Sequence, residues 1–402
     1  MTTRQAVFLV GGKGTRLGAL TAATPKPLLE IAPGLRFLDV VIEEAARHGF
    51  GDILLLAGHL GEQVEAIYQG RTLRGATVQV VREPEPQGTG GALRSASDRL
   101  ASTFLMANGD SLFDINLRAL ATELPPAATA RLALREVTDP ARYGAVSLHN
   151  GQVTGFAEKN SALTGPALIN GGVYHMRREI LDWISGPCSL EQDVFPRLAA
   201  AGQLEGRQFD GYFIDMGLPD SFAQACREAP ARRIRPCLFL DRDGVLNVDV
   251  GYPHRADQLQ WIDGAREAVR LANEAGYLVI VVTNQAGVAR GYYTEEQVAA
   301  FHDVMAGDLA RAEAHVDAWY HCPFHADATV ARYKASDHPD RKPNPGMLLR
   351  AMTEWPIDAQ RSLLIGDKPS DIEAAARAGI AGLPFSGGNL CDLVRRSILT
   401  GV

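Results

Sequence analysis

An α/β chain in two domains is the fold class that this sequence predicts, and three observations predict it. The 402 residues exceed what one hydrophobic core usually supports, and at 46% apolar they can fill more than one. Short β-branched or apolar runs, Ala6 to Val10, Ile53 to Leu56, Val78 to Val81 and Phe104 to Met106, are each followed by glycine or an acid and then a helical pattern. A second series of the same kind begins at Cys237 to Leu240 and continues at Leu278 to Val282 and Leu363 to Ile365. Such alternation suits a mostly parallel sheet with helices on its faces, where active residues gather at the carboxyl ends of strands. Between the two series lies Arg227 to Pro236, charged, alanine-rich and containing Pro230 and Pro236, which reads as a linker between domains at 1–228 and 237–402.

Composition narrows the function. A net charge of -7 argues against a phosphate-backbone binder, because nucleic-acid affinity needs clustered Lys and Arg to displace counterions. The expected partners are therefore small molecules. No apolar stretch is long enough to cross a bilayer, and the chain starts without a charged region, an apolar region and a cleavage site in succession, so a cytosolic protein is expected. Cysteines at 188, 226, 237, 322 and 391 are scattered and odd in number, which fits a reducing compartment rather than a disulfide framework. The sequence leaves the oligomeric state open.

After the first strand comes Gly11-Gly12-Lys13-Gly14-Thr15-Arg16-Leu17, and then Thr24-Pro25-Lys26-Pro27-Leu28. A glycine-rich turn lets backbone N–H groups approach phosphate closely, while Lys13, Arg16 and Lys26 can neutralise a leaving pyrophosphate. Glycines alone would equally mark a strand-to-helix turn, and the basic residues shift the balance. No Gly-Lys-Ser or Gly-Lys-Thr closes the loop, so it is not a Walker loop, and its glycines lack dinucleotide-fold spacing.

Together these segments resemble the signature of sugar-1-phosphate nucleotidyltransferases, the family that includes mannose-1-phosphate guanylyltransferases. The resemblance continues through Gln87-Gly88-Thr89-Gly90-Gly91, Asn108-Gly109-Asp110, Glu158-Lys159, Asn170-Gly171-Gly172 and Phe213-Ile214-Asp215-Met216-Gly217. It implies a Rossmann-like domain in which Gly11, Gly12, Gly14, Thr15, Gln87, Gly88, Thr89 and Asp110 hold the nucleotide. Asp110 and Asp215 would bind Mg²⁺, a hard cation suited to oxygen ligands and to bridging phosphates. Glu158, Lys159, Asn170 and Gly171 would hold the sugar phosphate. The implied reaction is attack of a sugar-1-phosphate oxygen on the α-phosphate of a nucleoside triphosphate, which positioning and charge neutralisation can carry without a protein nucleophile.

The strand Cys237 to Leu240 delivers Asp241-Arg242-Asp243-Gly244-Val245-Leu246-Asn247. An isolated Asp-x-Asp can be a surface turn or part of a calcium loop, but the preceding run is apolar and no calcium-loop ligand series follows. The segment resembles the first motif of the haloacid dehalogenase superfamily of phosphatases, and the others follow in order: Thr283-Asn284, Arg341-Lys342-Pro343, and Gly366-Asp367-Lys368 with Asp371. The resemblance implies that Asp241 attacks phosphorus to form an acyl phosphate, while Asp243 protonates the leaving alkoxide and then deprotonates water. Asp241, Asp243 and Asp367 would surround Mg²⁺, Thr283 would hydrogen-bond the transferring phosphoryl, and Lys342 would offset its charge. Asp371 reads equally as metal-site support or as an N-terminal helix residue.

Within that superfamily, Thr283 to Tyr293 and the upstream Gly251-Tyr252-Pro253-His254-Arg255 resemble heptose-1,7-bisphosphate 7-phosphatases and histidinol-phosphate phosphatases, over residues 237–390. Asn284, Arg290, Arg341 and Lys368 would then contact substrate in a Rossmannoid domain without a large cap. The pair of resemblances is coherent if the phosphatase leaves a heptose 1-phosphate that a guanylyltransferase converts to GDP-heptose with GTP. Other sugars or bases, or one half serving as a regulatory binding module, are the alternatives. Related heptose phosphatases carry a zinc loop, and the matching residues here are Cys322, His325, His338 and Asp340. Phe324 cannot bind metal and two thiolates are replaced, so a loop held by ordinary packing is favoured over zinc.

Overall fold

The apolar runs singled out above are strands: Gln5–Leu9, Asp52–Ala57, Ala76–Arg82 and Thr103–Asn108, then Cys237–Leu240, Leu278–Asn284 and Leu363–Gly366. They belong to a computed structural model that describes residues 2–12, 14–138, 140, 144–157 and 165–400. The chain divides into two units, Met1–Ala231 and Arg232–Val402.

In the first unit, Gln5–Leu9 lies between two parallel partners, Asp52–Ala57 and Thr103–Asn108. Side chains alternate across the sheet. Ala6, Phe8, Ile53 and Leu55 join a core with Phe37, Ile42 and Phe50, while Val7, Leu54, Leu56 and Met106 join one with Leu93 and Phe195. Each fully buried Leu, Ile or Phe contributes about 1.5–3 kcal/mol by leaving water.

This sheet is not mostly parallel as the alternation implied. It has ten strands, and Ala167–Arg177 runs antiparallel to both Thr103–Asn108 and Ala130–Val137. Ala145–His149 and Gln152–Ala157 form a hairpin. Its turn places Asn150 at φ 48° and Gly151 at φ 79°, the paired left-handed conformation that an Asn-Gly hairpin turn supplies. That dipeptide was readable, and the uniform βα reading passed over it.

The second unit has a five-stranded, all-parallel sheet in the order Ala318–Cys322, Leu278–Asn284, Cys237–Leu240, Leu363–Gly366, Ala381–Pro384. Leu238, Leu240, Val279 and Val281 face a core with Val269, Phe301 and Leu309, and Cys237, Phe239, Ile280 and Val282 face one with Met347 and Ala351. Both faces are covered, as a parallel sheet requires. Cys237–Leu240 sits centrally, with strands that follow it in sequence on both sides, so a crevice opens at its carboxyl end. Among the described residues no inserted domain covers that end.

The expected linker is largely helical. Pro219–Arg232 is one helix with Ala225 and Ala229 buried and Pro230 near its end. Pro230 falls in the last turn, where its ring interrupts little of the helix that precedes it. No helix among the described residues is long and apolar enough to cross a membrane.

Candidate active sites

In the first unit the glycine-rich segment leaves the sheet at Leu9. Gly11 packs against the backbone of Gly58, and Gly12, Gly14, Thr15 and Arg16 line a cleft of about 220 Å³ with Lys26 and Asp110. Lys13, Glu158 and Lys159 lie outside the described residues. Lys26 is buried in the turn Lys26–Leu28. Its Nζ stands 2.7 Å from Asp110 Oδ2 and 3.4 Å from Asp215 Oδ1.

The two acids come from neighbouring elements. Asp110 follows Thr103–Asn108, and Asp215 ends Tyr212–Asp215, which pairs with Ser111–Asp114. A Cβ on Gly217 would lie 3.0 Å from an Asp215 oxygen and 3.4 Å from the Arg16 guanidinium, so those three residues meet. Two carboxylates already converging on one cation, the Lys26 ammonium, fit a divalent metal with oxygen ligands.

Gln87 precedes the helix Gly88–Ser95. Thr89 Oγ1 donates to Glu191 Oε2 at 2.8 Å and accepts from the Leu190 N–H at 2.8 Å. Glu191 also accepts from Ser189 Oγ and from the Tyr174 hydroxyl. That hydroxyl in turn accepts from Asn170 Nδ2 at 3.0 Å. Thr89 and Asn170, from distant motifs, are therefore joined through two residues that sequence reasoning missed. Burial and the Glu191 carboxylate push the Tyr174 hydroxyl well above its ordinary pKa, which keeps it a donor. The strand bulges between Asn170 and Tyr174. Gly171 is required there, since a Cβ would lie 2.5 Å from the Phe113 ring. Tyr174, four residues after Asn170 and beyond the glycine pair, was the available signal.

The second site is more enclosed. Asp241 follows Cys237–Leu240, and Lys342 Nζ lies 2.9 Å from Asp241 Oδ1 and 2.7 Å from Asp371 Oδ1. Lys342 also donates to the Val282 carbonyl. Burial works against its ammonium, but Asp241 and Asp371 hold it above its usual pKa. Burial pushes the Asp241 carboxyl up to about 6, with Lys342 opposing and Asp371 adding. Burial also raises Asp367.

Ligand oxygens of Asp241, Asp367 and Asp371 lie within 4.8 Å of one another, and these acids form the one such group found among the described residues. The donor set fits Mg²⁺. Asp371 is the N-terminal helix residue of its two readings, since its Oδ2 accepts from the Lys368 N–H and caps Pro369–Arg377, and it also stands in this acidic group. Gly244, at φ 93°, lets the loops close: a Cβ there would stand 2.4 Å from Asp367 Oδ2.

Asp243 is held by residues the sequence did not single out. Arg242 donates to both of its oxygens, Asn247 to Oδ1 and Gln285 to Oδ2. Gln285 Nε2 also reaches Thr283 Oγ1 at 2.9 Å. Asn284, expected to contact substrate, donates to the Lys342 carbonyl at 3.0 Å and accepts from its N–H at 3.1 Å. Its amide thus positions the lysine backbone.

At the mouth, the Arg290 guanidinium lies 5.9 Å from the Tyr252 ring, and Tyr252 meets Tyr292 edge-on. Arg341 donates to the Phe324 carbonyl, and burial, with Arg290 adding, lowers its pKa. Lys368 Nζ is 3.8 Å from both Asp249 and Asp367.

Of the residues considered for zinc, Cys322 Sγ is 4.0 Å from His338 Nδ1, which already accepts from the Asp340 N–H at 3.1 Å. The His338 ring stacks on Phe324, Asp340 pairs with Arg350, and His325 Nδ1 accepts from the Asp327 N–H. Burial pushes the Cys322 thiol up to about 11.

Comparison with known proteins places both halves. Residues 5–232 match the nucleotidyl transferase family and residues 340–390 the HAD-hydrolase-like family. A D-glycero-beta-D-manno-heptose-1,7-bisphosphate 7-phosphatase from Rhodopseudomonas palustris is 43% identical over 166 residues, 41% of this chain and 91% of that protein. A D-glycero-alpha-D-manno-heptose-1,7-bisphosphate 7-phosphatase from Burkholderia mallei is 47% identical over 143 residues, 36% of this chain and 75% of that protein. The crystal structure of HddC from Yersinia pseudotuberculosis is similar with TM-score 0.51 and 29% identity, over 57% of this chain and 100% of that one. A second HddC structure, complexed with GMP-PN, gives TM-score 0.50 at 29% identity over the same shares. The chain is an enzyme of two parts, belonging to the nucleotidyl transferase family through residues 5–232 and to the heptose-1,7-bisphosphate 7-phosphatases through its C-terminal part.

Proposed function

We propose that the chain activates heptose in two steps: it removes the 7-phosphate of D-glycero-D-manno-heptose 1,7-bisphosphate, then joins GMP from GTP to the heptose 1-phosphate. One observation carries the reading. A single chain combines similarity to heptose-bisphosphate 7-phosphatases with similarity to HddC, whose complex holds a guanine nucleotide. The product of the first chemistry is a sugar 1-phosphate, the class of nucleophile the second requires.

In the phosphatase part, Asp241 attacks phosphorus, and the P–O bond to the sugar breaks with its electron pair passing to the leaving oxygen. Asp243 protonates that oxygen, then takes a proton from the water that cleaves the aspartyl phosphate. Lys342 and Thr283 offset and hydrogen-bond the phosphoryl oxygens. Arg290, Arg341 and Lys368 suit the second phosphate of a bisphosphate.

In the transferase part, Lys26, Arg16 and Lys13 neutralise the triphosphate while the glycine-rich backbone cradles it. Glu158 and Lys159 hold the sugar phosphate. Mg²⁺, held by Asp110 and Asp215 in one site and by Asp241, Asp367 and Asp371 in the other, would supply further charge neutralisation. These roles suit a cytosolic enzyme, since nucleoside triphosphates are available there.

The test supplies the purified chain with Mg²⁺, GTP and either anomer of the 1,7-bisphosphate, and follows phosphate and pyrophosphate separately. Phosphate should appear first, then pyrophosphate and GDP-heptose. Faster transfer with UTP, CTP or ATP, or with mannose 1-phosphate, would overturn the assignment of base or sugar. Absence of phosphate release from either anomer would overturn the phosphatase reading.

A further inference from the structure

We propose that Arg242, the residue between the two carboxylates of the phosphatase motif, is the positioning residue of Asp243. Its side chain is 0% exposed. The guanidinium forks onto one carboxylate, Nε to Asp243 Oδ1 at 2.9 Å and Nη2 to Oδ2 at 2.8 Å.

The rest of the guanidinium is fixed from behind. Nη2 also donates to the Pro253 carbonyl at 2.9 Å, and Nη1 lies 3.3 Å from His302 Nε2. The cation sits 4.9 Å from the Phe301 ring centroid, and His302 stacks on Trp319. Carrying a cation out of water costs several kcal/mol, and an apolar side chain of similar volume would fill the space at lower cost. What arginine alone supplies here is a planar fork matching both oxygens of a carboxylate.

The fork sets the plane in which Asp243 meets the leaving oxygen and then the water. Asn247 adds a second donor on Oδ1 at 3.0 Å and Gln285 a second on Oδ2 at 3.0 Å. The Gln285 amide is itself oriented, since its Oε1 accepts from the Tyr293 hydroxyl at 2.7 Å. Arg242 takes no part in bond making. It acts through Asp243, so its removal should slow each step in which that carboxylate moves a proton while leaving substrate affinity nearly intact.

The inference rests on the phosphatase reading, which phosphate release by the parent chain tests independently. The decisive variant is Arg242→Lys in the full chain, keeping the charge and losing the fork. Phosphate release from the bisphosphate should fall about 100-fold in kcat, with KM within about threefold. With p-nitrophenyl phosphate, whose leaving group needs no proton, the variant should release about one equivalent of nitrophenolate rapidly and then stall. The stall comes from aspartyl-phosphate hydrolysis, which still requires Asp243 as base. In an Asp243→Asn background the same lysine substitution should cost less than about threefold, since two residues acting as a unit are not additive.

A lysine variant with parental kcat, or a full additional loss in the Asp243→Asn background, would overturn the proposal. So would loss of the folded state by circular dichroism, which would assign Arg242 to the core instead.

Discussion

Lys26 stands between Asp110 and Asp215 in the first unit as Lys342 stands between Asp241 and Asp371 in the second. The ammonium–carboxylate distances are 2.7 and 3.4 Å in one, and 2.9 and 2.7 Å in the other. Their exposure to solvent differs. The side chains of Asp110 and Asp215 are 36% and 27% exposed, against 7% for Asp241 and 1% for Asp371. A site that must admit a triphosphate and its metal, and release pyrophosphate, works by neutralising charge in a cleft. A site that forms a covalent bond to its own carboxylate gains from excluding water, because every interaction strengthens in a drier medium. On the proposed roles one constellation serves two chemistries, and burial distinguishes the two sites.

The largest effect that can break this comparison is a crossed pair of knockouts. Asp241→Asn should lower phosphate release by at least about 10³-fold, by removing the nucleophile, while transfer from ready-made heptose 1-phosphate stays within about twofold. Given the 1,7-bisphosphate and GTP, that variant should make almost no GDP-heptose. Asp110→Asn should do the reverse, releasing phosphate normally and forming no nucleotide sugar. Separate assays of phosphate and pyrophosphate decide it. If Asp241→Asn abolished transfer from heptose 1-phosphate while remaining folded by circular dichroism, the sites would be coupled.

Sequence legibility differs between the sites for the same physical reason. In the second unit Asp241 and Asp367 directly follow strands of one parallel sheet and Thr283 stands one residue before the end of another, so apolar runs that stop at polar residues locate all three before any coordinate is known. Lys342 is near because Asn284 holds its backbone, a contact invisible to spacing. Arg242 and Gln285 were passed over because which group a buried fork or amide grasps is decided by tertiary packing. In the first unit the loops themselves were legible. The link from Thr89 through Glu191 and Tyr174 to Asn170 joins residues far apart in sequence, and no local pattern encodes it. The mixed sheet could have been anticipated from Asn150-Gly151. Lys13, Glu158 and Lys159 keep only the roles their motifs imply.

A smaller effect sharpens the comparison through stability. Lys342→Met leaves two buried carboxylates facing each other and should cost the second unit about 3–5 kcal/mol, the usual penalty for breaking a buried pair. Lys26→Met leaves carboxylates that water can reach, and should cost the first unit about 1 kcal/mol or less. Urea melts of both full-length variants in EDTA test this. Equal losses would mean that burial does not separate the sites energetically.

The smallest effect uses a histidine on the sheet of the first unit. His175, on Ala167–Arg177, is 1% exposed, and its Nε2 lies 3.0 Å from Thr3 Oγ1, which meets Thr103 Oγ1 at 2.9 Å. Burial, with Arg131, Arg177 and Arg118 adding, pushes its pKa down to about 3. An unfolded histidine titrates near about 6.5. Below that value the unfolded chain binds the proton and the folded chain refuses it. The contribution is therefore complete above pH 6.5 and is lost progressively as pH falls toward the folded value. At pH 5.5 the loss should be about 1.4 kcal/mol. In His175→Gln, which retains a side chain able to meet Thr3, stability should fall by about that much less between pH 7.5 and 5.5 than in the parent. The difference between the two proteins cancels every titrating group they share. Identical pH dependence in urea melts of parent and variant would show that His175 takes up its proton in the folded state, with the surrounding arginines no barrier to it.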